Sequence, residues 1–272
     1  MRITDAQIHV WHGVSEGGRP HRPGRFGAEE VLPLMDAAGV ARAVLVPPPW
    51  SDEGNAVAIA IARAYPERFA VVGPMRFGGP ETLAGWRAEG MLGVRAILDG
   101  PYRQPFETPE GERFWSEAEA LDLPVMVHAP GRLELIDRIA ARHPRLRLVV
   151  DHLALTQDAV GRRAVDEALR LLPLARRPNV AVKASALPLH AADPYPFRSL
   201  HPAVYRLVQA FGPQRVFWGS DLSRIRGPYR ESVGMFVDEL RDLSPDDLEW
   251  IMGRGVSTWL GWPPAGISTA AP

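Results

Sequence analysis

Short apolar runs that each stop at one ionisable residue recur along this chain, separated by segments with helical periodicity. PVMV ends at His128, RLVV meets Asp151 and His152, NVAV runs into Lys183, VFWGS ends at Asp221, and TDAQIHV carries His9. A buried charge or imidazole is costly unless it has a partner or a chemical task. Repetition from run to run therefore points to side chains converging on one place. Lys183 is the sharpest case, because it is the only lysine among 31 Lys and Arg residues.

The runs define eight strand candidates, at 3–9, 42–47, 69–75, 92–98, 124–128, 147–152, 178–185 and 215–221. Helical patterns fall near 28–38, 54–64, 80–89, 112–122, 133–143, 160–172, 200–211 and 232–242. Ser244-Pro245-Asp246-Asp247 announces a further helix, with Ser as N-cap and Pro at the first helical position. Eight strands alternating with helices predict an α/β chain folded as a (β/α)8 TIM barrel. A doubly wound sheet usually has fewer strands and a Gly-rich phosphate loop, and neither GxGxxG nor a Walker A pattern is present.

Loop lengths agree with the barrel. Helix-to-strand turns are short, as at Ala38-Gly39-Val40-Ala41, whereas the segments leaving strands, such as 10–27, 99–111 and 186–199, are long. In a barrel those long loops share the C-terminal face, where active sites sit. The expected organisation is one barrel domain over 1–262 and a flexible tail over 263–272.

Composition narrows the function classes. A net charge of −1 with no basic run gives no footprint for nucleic acid or an anionic membrane. No apolar stretch approaches the roughly 20 residues of a spanning helix. The strand-like start MRITDAQIHVW is unlike a signal peptide, and with no cysteine there is no disulfide or thiolate metal site. A cytoplasmic location is expected.

Strand periodicity assigns faces. Asp5, Gln7 and His9 share one, as do Met126 and His128, then Ala181, Lys183 and Ser185, then Phe217, Gly219 and Asp221. In the sixth strand the same rule groups Leu148, Val150 and His152 and sends Asp151 to the opposite side, to cap a backbone amide. Arg224 and Arg226 read as solvated loop charges. His12, His21, His190 and His201 are loop residues without a spacing signal.

The succession DAQIHVW, LPVMVHA, LRLVVDHLAL, NVAVKASAL and VFWGSDLSR resembles the amidohydrolase superfamily. More narrowly, it resembles the amidohydrolase-related branch that includes 2-pyrone-4,6-dicarboxylate lactonase, sugar-lactone hydrolases and some metal-dependent decarboxylases. The likeness runs from the first strand to the closing IMGRGVSTWLGW.

That branch normally carries HxH in its first strand to grip a divalent metal, whereas this chain reads Gln7-Ile8-His9. The resemblance supplies His9, His128 and Asp221 as ligands for one divalent ion, zinc by ligand type. It equally allows a metal-free site, because the branch includes metal-independent members.

Without a metal, Asp221 is the expected general base, taking a proton from water and returning it to the leaving oxygen. His128, His152 and Lys183 complete the catalytic set, as donors that polarise the carbonyl. Arg76, Arg95, Gln7 and Trp11 are the substrate-binding candidates, the arginines because guanidinium groups fit carboxylates. The expected partner is a small anionic substrate, with a homodimer by analogy with such folds.

Together these imply a hydrolase that opens a lactone or similar cyclic ester of a small carboxylated compound. The rivals are a metal-dependent decarboxylase of a small carboxylic acid and an inactive barrel that binds an anionic metabolite.

Overall fold

In the computed structural model, residues 1–263 are described except for 52, 76–81, 101–102 and 104. Eight parallel strands follow one another in chain order around the sheet. They are β1 (Ile3–Ile8), β2 (Val40–Leu45), β3 (Phe69–Pro74), β4 (Met91–Ile97), β5 (Val125–His128), β6 (Leu148–Val150), β7 (Val180–Ser185) and β8 (Val216–Gly219). This is the (β/α)8 barrel expected from the alternation.

Helices cover the outside. α1 spans Ala28–Ala38 and ends at Gly39, whose φ of 73° is the left-handed conformation that glycine adopts without strain. At Pro245–Glu249, Ser244 Oγ accepts from the Asp247 amide at 3.1 Å, the N-cap read from SPDD. The segment read as a helix over 80–89 differs. Among its described residues only a 3-10 turn, Leu83–Gly85, is present.

Two layers fill the barrel. Ala6, Val44, Val72, Met126, Val149, Ala181 and Phe217 point inward and pack with Val256, Leu260 and Trp262 from the C-terminal segment. Residues of opposite phase, such as Leu148, Val150 and Val182, pack outward with the helices.

The seam between β1 and β8 is made partly by a side chain. Asp5 Oδ1 accepts from the Gln7 and Ser220 amides at 2.9 Å each, and Oδ2 accepts from Tyr229 OH at 2.6 Å. The Asp221 amide donates to Gln7 O at 3.0 Å. Gly219 permits this approach: a Cβ there would lie 3.2 Å from the Gln7 nitrogen and the Ser185 Cβ.

Candidate active site

Three neighbouring strands deliver side chains to the C-terminal mouth by leaving the extended conformation abruptly. After β6, His152, Leu153 and Ala154 are all left-handed; after β7, Ala186 is; after β8, Asp221 is, with φ 54°. For residues with a Cβ this conformation costs about 1–2 kcal/mol each. Such strain gathers where geometry serves function.

Asp221 sits at the centre and is fully buried. Its Oδ1 lies 3.2 Å from His9 Nε2; its Oδ2 lies 3.4 Å from an Arg224 guanidinium nitrogen and 3.9 Å from His152 Nε2. Burial pushes its pKa up, but the contact with His9, together with the Arg224 guanidinium, outweighs burial and holds it well below the usual carboxylate range. Among the described residues, Oδ1 has no hydrogen-bond donor. The result is an ionised carboxylate with one oxygen open to a proton, a water or a cation.

His152 is anchored through Nδ1 to Ser185 Oγ at 2.8 Å, and burial lowers its pKa well below the imidazole value. His128, at the end of β5, has its ring centroid 6.0 Å from that of His152. Burial, with Arg95 nearby, pushes the His128 pKa down to about 4. Its Nδ1 has no hydrogen-bond partner among the described residues. Both rings are therefore neutral near pH 7.

Asp151 departs from the sequence reading. It does not point away from the site to cap an amide. Val149, not Val150, is the inward residue of β6, so alternation turns Asp151 inward. There Oδ1 pairs with Lys183 Nζ at 2.7 Å and Oδ2 accepts from Arg95 Nε at 3.2 Å. Burial pushes the Asp151 pKa up, but Lys183 and Arg95 hold it far down. His152 still reaches the site because its left-handed turn swings it back.

Lys183 is completely enclosed. Besides Asp151, Nζ donates to Gln7 Oε1 at 2.5 Å and to Met126 Sδ at 3.1 Å. The fully buried ammonium is surrounded by these protein groups and is not presented to a substrate oxygen. Lys183 holds Asp151 and Gln7 in place. Gln7 in turn directs Nε2 at His9 Nε2, 3.3 Å away.

Of the substrate-binding candidates, Gln7, Arg95 and Trp11 are buried, and Arg76 lies outside the described residues. Trp11 donates from Nε1 to Gly24 O at 2.8 Å and packs on Trp50 and Phe26, which makes it a support for loop 10–27.

Two residues that the sequence reading passed over also belong here. Arg224 contacts Asp221, and its signal was its place three residues after that carboxylate. His21, an exposed residue, arrives from loop 10–27 with its ring centroid 5.3 Å from that of His9. No periodicity in a loop could have announced it.

The donor sets decide whether a divalent cation fits. Gln7 offers nothing, because its oxygen is held by Lys183. His9 and Asp221 do fit, and with His21 they bring three ligand atoms within 4.8 Å of one another. His128, expected in the ligand set, is not in that group.

The family model described as Amidohydrolase matches residues 4–254. An L-fucono-1,5-lactonase of Burkholderia ambifaria is 29% identical over 244 residues, 83% of this chain and 82% of that protein. A probable 2-pyrone-4,6-dicarboxylic acid hydrolase from Acinetobacter baumannii, solved with citric acid bound, superposes with a TM-score of 0.79 at 19% identity, over 96% of this chain and 100% of that one. An amidohydrolase from Burkholderia multivorans with bound zinc gives 0.77 at 23%, over 97% and 100%. The two structural likenesses speak for the fold, and the family model, spanning β1 through β8, goes further: the chain belongs to the amidohydrolase family.

Proposed function

We propose that the chain is a lactonase, a hydrolase that opens a small cyclic ester at the mouth of the barrel. The observation that carries the chemistry is Asp221: buried, ionised, and open at Oδ1. The likeness to an L-fucono-1,5-lactonase supports the choice of bond.

In the first step Asp221 takes a proton from water as the water oxygen bonds to the lactone carbonyl carbon. His128, whose Nδ1 has no partner among the described residues, and the Arg224 guanidinium stand by for the oxyanion. Collapse of the tetrahedral adduct breaks the ring C–O bond, and Asp221 returns its proton to the departing alkoxide. The product is a hydroxy acid whose new carboxylate faces the same cations. His152, braced by Ser185, keeps Asp221 oriented. A divalent cation held by His9 and Asp221 would polarise the carbonyl in addition.

The choice of an uncharged, hydroxylated lactone over a carboxylated compound rests on the likeness to an L-fucono-1,5-lactonase. Charge pairing at the mouth does not make that choice, because Lys183, Arg95 and Arg224 face two carboxylates, Asp151 and Asp221.

A panel of sugar 1,5-lactones alongside 2-pyrone-4,6-dicarboxylate, followed by acid release at constant pH, tests the proposal. Turnover of the sugar lactones is expected. Turnover of the dicarboxylate alone would overturn the substrate reading, and none with any lactone would overturn the activity.

A further inference from the structure

We propose that His21 is a metal ligand, completing a divalent-cation site with His9 and Asp221 and thereby fastening loop 10–27 across the barrel mouth. It would bring the ligand count to three in a chain whose first strand carries Gln7 in place of a second histidine.

Geometry carries the proposal. One ligand atom from each of His9, His21 and Asp221 lies within 4.8 Å of the other two. Two imidazoles and a carboxylate are the donor types of three-ligand zinc sites with an open fourth position. Ligating histidines are normally held through their second ring nitrogen, and both rings meet that requirement. His9 Nδ1 donates to Val46 O at 2.6 Å, and His21 Nδ1 is held by Ser223 Oγ at 2.9 Å. Each ring is left with Nε2 for a cation. The third member, Asp221 Oδ1, is buried and has no donor among the described residues. Two protein groups approach His9 Nε2, Asp221 Oδ1 at 3.2 Å and the Gln7 amide nitrogen at 3.3 Å, so a cation bound there would displace any proton held between His9 and Asp221.

His21 is brought there by a loop built to hold it. Arg22 donates to Leu222 O at 2.8 Å and Ser223 O at 3.1 Å, so the loop is tied to the residues directly after Asp221. Trp11 reaches Gly24 O, and the His21 ring meets Trp50 edge-on with centroids 5.7 Å apart. A cation shared by His9, His21 and Asp221 would cross-link the ends of β1 and β8 to this strap.

The test is zinc binding to the full chain, stripped by chelator and then titrated with zinc chloride under equilibrium dialysis with metal analysis. Wild type should take up one zinc per chain. His21→Ala and the similarly sized His21→Gln should bind about 100-fold more weakly, and Ser223→Ala about 10-fold more weakly. Gln7→Ala should bind no more weakly than wild type. Zinc should also slow proteolysis within residues 10–27 in wild type but not in His21→Ala. Absence of stoichiometric zinc in wild type, unchanged affinity in both His21 variants, or a loss in Gln7→Ala equal to that in His21→Ala would overturn the proposal. Lactone turnover by the zinc-free chain would leave the hydrolase reading standing, so the two can fail separately.

Discussion

The two ends of the barrel interior are filled by opposite means. Toward the N-terminal end, Phe217, Val256, Leu260 and Trp262 form an apolar plug. Toward the mouth, the same strands and the turns directly after them carry Gln7, Arg95, His128, Asp151, Lys183 and Asp221, all of them buried except the half-buried His128. Neither filling is a matter of strand propensity, since β7 supplies Ala181 to one and Lys183 to the other, two residues apart on the same face. The plug is held by non-directional packing, which tolerates changes of shape at constant volume. The mouth is held by paired charges and hydrogen bonds, in which losing one member leaves another buried without its partner. The plug is tolerant of substitution; the mouth depends on each member of its ion pairs and hydrogen bonds.

Putting methionine at each end gives the sharpest test of this contrast. Lys183→Met removes the ammonium but keeps the length, leaving Asp151 with Arg95 alone. A loss of about 3–5 kcal/mol in urea unfolding is expected. The Asp151→Asn change added to it should recover part of that loss. A cost below about 1 kcal/mol would mean that the mouth is not organised by this ion pair.

Asp5 sharpens the comparison through pH. Burial pushes its pKa from 3.8 up to about 6, against the hydrogen bonds from Ser220, Tyr229 and Gln7. A carboxyl whose pKa is raised on folding binds its proton more tightly in the folded chain, so stability is highest when it is protonated and falls as pH rises. Relative to Asp5→Asn, wild type should lose about 3 kcal/mol between pH 3.8 and 6. A flat or rising difference across that window would refute the buried, desolvated carboxylate at the seam.

At the plug, Leu260→Met should cost less than about 1.5 kcal/mol and leave kcat and KM unchanged, measured by thermal unfolding and lactone turnover. A fall in turnover would mean that the two ends are coupled, against the division of labour drawn here. Smallest of all, Ser244→Ala removes a helix cap remote from both ends and should cost about 1 kcal/mol with no change in turnover.

The two ends were not equally legible in the sequence. Alternation and loop asymmetry carried the barrel, and helix 28–38 and the Ser244 cap lie where the pattern put them. His9, His128, His152, Lys183 and Asp221 could be gathered because each ends or sits within an apolar strand. Asp151 was misplaced because strand phase was extended through residues that have left the strand: β6 stops at Val150 and the next turn is left-handed. Lys183 could be seen as buried, but its engagement by Gln7, Met126 and Asp151 comes from three other strands and strand ends. His21 was invisible for a different reason. Its place depends on contacts about 200 residues away, at Leu222 and Ser223, and no local spacing encodes them.

The central claim is that Asp221 moves the proton. Asn suits its left-handed backbone and preserves the side-chain shape, so Asp221→Asn isolates the carboxylate charge. The decisive measurement pairs lactone turnover with calorimetric binding of the same lactone in wild type and Asp221→Asn. The account predicts that kcat falls by about 100- to 10,000-fold while affinity stays within about threefold. Turnover that survives the substitution would contradict it.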